Sequence, residues 1–331
     1  MNIERRGFFK VLSAGALAAG SMSTALARTV KTLPPNAVGI LYDATLCIGC
    51  KACEAGCKKA NNMPADHSDL ETQAGVGPIW DSGTDLNSRT LNKIKAYRHG
   101  SGTIKNAAND GYSFVKRACM HCIDPDCVSA CPVSALNKDA DTGIVTYNKK
   151  ACIGCRYCQV ACPYNIPKFE FDKAFPEIVK CEMCSHLLAE GGLPGCCQSC
   201  PTGASLFGRV EDLLDEARRR LALQPGTDYA YPITSLTGGE SQVRPAARYV
   251  DYIYGEYESG GTQYLLLSAV PFDKLGLPQL PRDAAAVASE TLQHTIYKGL
   301  IAPVALLGGL LYTAYRSTAT HQTATEGGDH E

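Results

Sequence analysis

The sequence predicts an α+β protein in which two small modules, each built on a pair of cysteine motifs, are nested one inside the other and followed by a C-terminal transmembrane helix. Three observations carry that expectation: sixteen of the 17 cysteines fall into four groups of four, short apolar runs flank those groups, and one uncharged stretch lies near the C-terminus. The 331-residue chain is 45% hydrophobic, ordinary for a globular protein, which excludes disorder and collagen-like structure. A formal charge of −1 gives no basic field, so no nucleic-acid partner is expected. The cysteines are too many for a reduced cytosolic enzyme and too clustered for a disulfide scaffold of this size.

At the N-terminus, Glu4-Arg5-Arg6-Gly7-Phe8-Phe9-Lys10 precedes a mild apolar run from Val11 to Ala19 and a small-x-small pattern at Ala25-Leu26-Ala27. This resembles a twin-arginine export signal, and it sets residues 1–27 apart from the fold. The plain alternative is an amphipathic N-terminal helix. Twin-arginine transport moves folded cargo, so cofactors can be inserted before so many thiols meet an oxidising compartment.

Cys47, Cys50, Cys53, Cys57 and Cys152, Cys155, Cys158, Cys162 both read C-x2-C-x2-C-x3-C, the run of bacterial ferredoxins. Cys119, Cys122, Cys127, Cys131 loosen the middle gap, and Cys181, Cys184, Cys196, Cys200 contain a longer excursion. Pro132, Pro163 and Pro201 follow three of the last cysteines; motif one has Lys58 there. A cubane cluster takes four thiolates at tetrahedral corners, three of them within reach of one tight turn, with the fourth supplied by a partner motif. The reading is therefore four [4Fe-4S] clusters in two nested bacterial-ferredoxin-like modules. Four all-cysteine zinc sites are the alternative, although zinc usually pairs two short C-x2-C knuckles.

The flanking strands suggest which motifs pair. Val133 to Leu136 and Ile144 to Tyr147, joined by a turn-rich segment, suit a hairpin between motifs two and three. Motif one is then left for motif four, with Val38 to Tyr42 and Ser205 to Gly208 as the matching strands. The expected quartets are Cys119, Cys122, Cys127 with Cys162; Cys152, Cys155, Cys158 with Cys131; Cys47, Cys50, Cys53 with Cys200; and Cys181, Cys184, Cys196 with Cys57. Cys196 keeps the C-x3-C step and Cys197 does not, which makes Cys197 the spectator. The expected segments are 28–57 with 163–208 for the outer module, 119–162 for the inner one, and an insertion at 58–118 that includes Trp80. The insertion is either a docking surface or an elaboration of the fold.

Val210 to Leu223 reads as a helix, with acidic residues at its start, Arg218, Arg219 and Arg220 at its end, and the charges forming a solvated face. The remainder of 209–298 is expected to be loop-rich with a strand at Gln263 to Val270. Gly299 to Tyr315 is uncharged, bracketed by Lys298 and Arg316, and at ~1.5 Å per residue reaches roughly 25 Å, near the lower limit for a membrane span. A buried or interfacial helix is the alternative. The export signal would leave 316–331 as a cytoplasmic tail and the bulk outside. No nucleotide-binding or metalloprotease motif occurs, so no catalytic residue is assigned, and His121 has two open roles, hydrogen bonding near a cluster or a surface position.

Cys119-Met120-His121-Cys122 and Cys162-Pro163-Tyr164-Asn165 resemble phrases of the four-cluster electron-transfer subunits of membrane-bound redox complexes. Gly191-Gly192-Leu193-Pro194-Gly195-Cys196, Gly260-Gly261-Thr262-Gln263 and Gln293-His294-Thr295-Ile296-Tyr297-Lys298-Gly299 are similar to the iron-sulfur subunit of the Hyb-type, membrane-bound [NiFe] hydrogenase. That resemblance implies a non-catalytic subunit on the periplasmic side of the cytoplasmic membrane. It implies a relay between the hydrogenase small subunit, which partners the catalytic large subunit, and an integral membrane quinone-reactive subunit. The same relay in a molybdenum oxidoreductase is the rival reading.

Overall fold

The computed structural model describes residues 28–65 and 85–325; the export-signal reading of 1–27, Trp80 and the last residues of the tail lie outside the described residues. Residues 30–286 form one unit, which holds every cysteine, and 287–325 belong to a second.

Val38–Asp43 (β1) leads into motif one, whose third and fourth cysteines sit on Ala52–Ala60 (α1). The 58–118 segment has a sheet of its own. Lys93–Arg98 (β2) runs antiparallel and Ile104–Lys105 (β3) parallel to Gly111–Arg117 (β4). Motifs two and three carry the short helices Asp126–Ser129 (α2) and Tyr157–Ala161 (α3) around an antiparallel hairpin, Leu136–Lys138 (β5) with Val145–Tyr147 (β6). That hairpin begins later than Val133 because Ser134, at φ 50°, turns the chain first. Lys168–Phe169 (β7) and Ile178–Val179 (β8) pair just ahead of motif four, which supplies Ser185–Ala189 (α4) and Gly195–Gln198 (α5). Then follow Ser205–Arg209 (β9), Val210–Ala222 (α6), the hairpin Asp228–Pro232 (β10) with Ser241–Pro245 (β11), Tyr264–Leu267 (β12) and the long helix Ala285–Thr325 (α7).

The central sheet has the order β12-β1-β9. β1 pairs antiparallel with β9, Ile40 facing Phe207 and Tyr42 facing Ser205, and parallel with β12, Ile40 facing Tyr264. Side chains alternate along a strand, so β1 serves two cores. Ile40 and Tyr42 join a cluster that includes Cys47, Cys53, Cys57, Cys196 and Cys200, whereas Leu41 packs with Leu206, Leu213, Ala217 and Leu265 under α6. A strand buried on both faces reads as a continuous apolar run, as Val-Gly-Ile-Leu-Tyr does. A third cluster joins Cys127, Leu136, Val145, Cys158 and Ile178.

The charges of α6 do not all form a solvated face. Glu211 and Arg218 are exposed, but Glu216 and Arg220 are fully buried. Arg220 Nε donates to Glu216 Oε1 (2.8 Å) and Arg220 Nη1 to Asp43 Oδ2 (3.0 Å). Tyr249 donates to Asp43 Oδ2 and Tyr229 to Glu216 Oε2. β1 ends in a carboxylate that needs a buried cation, and the last turn of α6 lies over it.

α7 begins at Ala285, ahead of the Gly299 boundary that the last charge suggests, because Lys298 interrupts an apolar stretch without interrupting a helix. Its Ala285–Arg316 portion contains an 18-residue window of mean hydropathy 1.4 and is long and apolar enough to cross a membrane. Leu300, Ile301, Val304, Leu307 and Leu311 are exposed along it.

Candidate metal centre

Each cysteine motif begins with the same turn. The residue before the second cysteine is left-handed in all four: Gly49 (φ 72°), His121 (φ 46°), Gly154 (φ 70°) and Met183 (φ 51°). In three of them that turn aims a main-chain N–H at the first sulfur: Gly49 to Cys47 Sγ (3.4 Å), Gly154 to Cys152 Sγ (3.4 Å) and Met183 to Cys181 Sγ (3.3 Å). Glycine adopts this conformation freely, while other residues lose roughly 1–2 kcal/mol there. His121 and Met183 sustain it inside the core. The surface alternative for His121 is thus corrected: it is buried, and Nδ1 accepts the Val145 N–H at 3.1 Å, which ties motif two to β6.

The proline that follows the fourth cysteine decides where each helix stops. Cys131, Cys162 and Cys200 lie just past α2, α3 and α5, ahead of Pro132, Pro163 and Pro201. Lys58 lets α1 continue, so Cys57 remains inside it. α1 packs directly on α5, because a Cβ at Gly56 would fall 2.1 Å from Ser199 Oγ and one at Gly195 would fall 2.7 Å from the Gly56 carbonyl. That backbone contact brings motif one to motif four.

Four groups of cysteines result. Cys47, Cys50, Cys53 and Cys200 line one small cavity; Cys131, Cys152, Cys155 and Cys158 line another. Ile48 and Ile153 line these two cavities and are also exposed. Cys122 has Cys162, Cys119 and Cys127 as electrostatic neighbours; Cys57 has Cys196 and Cys184, and Cys181 has Cys57 and Cys196. Asn61 Nδ2 lies 3.6 Å from both Cys57 Sγ and Cys184 Sγ. Cys197 is fully buried beside Cys196 and Cys200 and lines neither cavity.

The donor set fits iron-sulfur cubanes. Among the described residues no three His, Cys, Asp or Glu side chains close on a single metal ion. The two quartets that line cavities instead stand around a space, as a cubane requires and a zinc ion does not. Burial pushes the Cys57 thiol up to about 12 and those of Cys158 and Cys162 up to about 11. Cys53, Cys122 and Cys181 are raised well above the usual thiol range by the same cause. Such thiols become thiolates when a metal supplies the opposing charge. Cys196 runs the other way, lowered by the Cys197 hydrogen bond and the Lys116 ammonium.

Sequence reasoning gives Asn61 and Lys116 no role at the site, leaves His121 with two open roles, and says nothing of Met183. The C-x-G-C form of motifs one and three carries a signal for the last two, since it shows that the position before each second cysteine is left-handed.

Paired cysteine motifs, short helices and small ladders define a ferredoxin-like iron-sulfur protein. A 4Fe-4S dicluster domain matches residues 111–210, a stretch holding motifs two to four. Over 336 aligned residues the sequence is 43% identical to the hydrogenase-2 operon protein HybA of Escherichia coli O157:H7, covering 99% of this chain and 100% of that one. It is 30% identical to the iron-sulfur subunit of the nitrate-inducible formate dehydrogenase of E. coli K12, covering 82% of this chain and 80% of the relative. Identity is 32% with the protein NrfC of E. coli K12, over 77% of this chain and 99% of that protein. The chain therefore belongs to the HybA family of iron-sulfur proteins. It carries [4Fe-4S] clusters and is an electron-transfer subunit of an oxidoreductase complex, not a catalytic one.

Proposed function

We propose that the four quartets hold four [4Fe-4S] clusters in single file and that the protein relays electrons between a [NiFe] hydrogenase small subunit and a quinone-reactive membrane subunit. The observation that carries this reading is which cysteines of different quartets lie near enough to feel each other's charge. Cys53 neighbours Cys196, Cys181 neighbours Cys119, and Cys127 neighbours Cys158. Taken in turn, they link the Cys47 quartet to the Cys57 quartet, then to the Cys119 quartet, then to the Cys131 quartet. A relay needs such a file, because an electron crosses several short gaps far more readily than one long gap.

The full-length match to HybA supports a hydrogenase complex over a molybdenum one. The sequence of 1–27 supports twin-arginine export, and α7 supports anchoring with the clusters on the periplasmic side. The test is anaerobic purification of the complex, identification of its catalytic subunit, and iron and acid-labile sulfide analysis. The reading expects a nickel-iron large subunit and, at four irons per cluster, roughly sixteen irons in this chain. A molybdenum-containing partner, or zinc in place of iron, would refute it.

A further inference from the structure

The sheet within the 58–118 segment delivers one side chain to the cluster region. Lys116, on β4, is 2% exposed. Its Nζ donates to Ser205 Oγ at 3.1 Å and lies 5.9 Å from the centre of the Tyr264 ring. Ser205 itself lines the cavity of Cys47, Cys50, Cys53 and Cys200. On the other side the ammonium neighbours Cys196, and Cys53 is close by as well. Those two cysteines belong to different quartets, adjacent in the file.

The partners of Lys116 are a hydroxyl, an aromatic ring and thiols, with no carboxylate among them in the described residues. A buried ammonium without a carboxylate is costly unless other negative charge faces it. We propose that Lys116 is a fixed positive charge shared by the cluster of Cys47, Cys50, Cys53 and Cys200 and the cluster of Cys57, Cys181, Cys184 and Cys196, raising the reduction potential of both. The inference rests on the quartet assignment above. Each one-electron reduction adds a negative charge to a cluster, and a cation beside it in a low-dielectric interior favours the reduced form. One ammonium between two quartets acts on both, while the Cys119 and Cys131 quartets lie farther along the file. The segment between motifs one and two thereby gains a function, the delivery of this charge.

The experiment is a redox titration of the purified complex followed by electron paramagnetic resonance, with iron content measured on the same samples. In Lys116→Met, two of the four midpoints should move to more negative potential and two should stay. At the parent midpoint, the reduced-to-oxidised ratio of the affected clusters should fall by roughly threefold or more. Lys116→Arg, which keeps the charge, should keep full iron and lie nearer the parent. Full iron with all midpoints unmoved, or all moved alike, overturns the proposal. If Lys116→Met loses iron, Lys116→Arg decides: retained clusters with parent midpoints support a charge role, and equal loss in both variants overturns it. A parent protein lacking four clusters would instead defeat the quartet reading.

Discussion

Asp43 Oδ2 and Arg220 Nη1 lie 3.0 Å apart with both side chains at 0% exposure, joining the end of the central strand β1 to the last turn of α6. Asp43 also accepts main-chain and side-chain bonds from Thr45, two residues before the first cysteine. The ion pair therefore fixes the approach of the chain to motif one.

Asp43→Ala should destabilise the fold by about 1.5–3 kcal/mol, since it removes one of the two carboxylates that face the buried Arg220 guanidinium and leaves only Glu216. Tyr249→Phe, which removes one neutral donor to the same carboxylate, should cost about 1 kcal/mol. The measurement is the temperature at which visible cluster absorption bleaches under anaerobic heating. Parent-like bleaching of Asp43→Ala would show that the pair holds nothing in place.

Gly56→Ala should separate motif one from motif four. The new Cβ meets Ser199 Oγ and the Gly195 carbonyl, and α5 cannot retreat without carrying Cys196 with it. About half the iron should be lost, with the clusters of motifs two and three retained. Gly191→Ala is the control. Gly191 has φ 76° but open space around it, so the change should cost only about 1 kcal/mol and no iron.

Cys197→Ser should keep the full iron content, whereas Cys196→Ser should lose one cluster. Both thiols are buried, so a simple difference in exposure cannot explain that outcome. The opposite pattern of iron loss would reassign the ligand.

Ending the protein after Ala286 should leave the clusters intact, because the Ala286 N–H to Asp126 bond (2.6 Å) and every cysteine are retained. Membrane retention should fall, and hydrogen oxidation coupled to quinone should fall more than oxidation with a soluble dye. The readout is the ratio of the two activities in washed membranes. An unchanged ratio and unchanged retention would remove α7 from both roles.

Replacing Arg5-Arg6 by Lys-Lys should strand cluster-loaded precursor inside the cell, because the export receptor reads that pair and not positive charge in general. Fractionation followed by iron analysis tests it, and normal export of the variant would count against the signal.

Local patterns in the sequence marked β1, β9, the β5–β6 hairpin and α6 to within a few residues, because each rests on a short run bounded by glycine, proline or a cysteine turn. What escaped depends on distant partners. Tyr264–Leu267 reads as a strand, but nothing near it says that it lies parallel to β1. Glu216 and Arg220 satisfy the helix-dipole pattern whether they face water or Asp43, so their burial is invisible until β1 is in place. The cysteine spacing outlined the groups, while the Gly56–Gly195 contact that packs motif one on motif four involves two glycines with no local signature.

Ile48 and Ile153 stand at the same position of the C-I-G-C turns, one at each end of the proposed file, and each is both cavity lining and surface. Electron tunnelling weakens exponentially with distance, and wet surroundings add a reorganisation barrier each time charge moves. At each end an exposed isoleucine stands beside the cavity, and at the motif-one end Cys50 is exposed with it. In the proposed file these apolar surfaces would let a docked redox partner come close and shed water, so that electrons would cross more readily at a contact than in free solution.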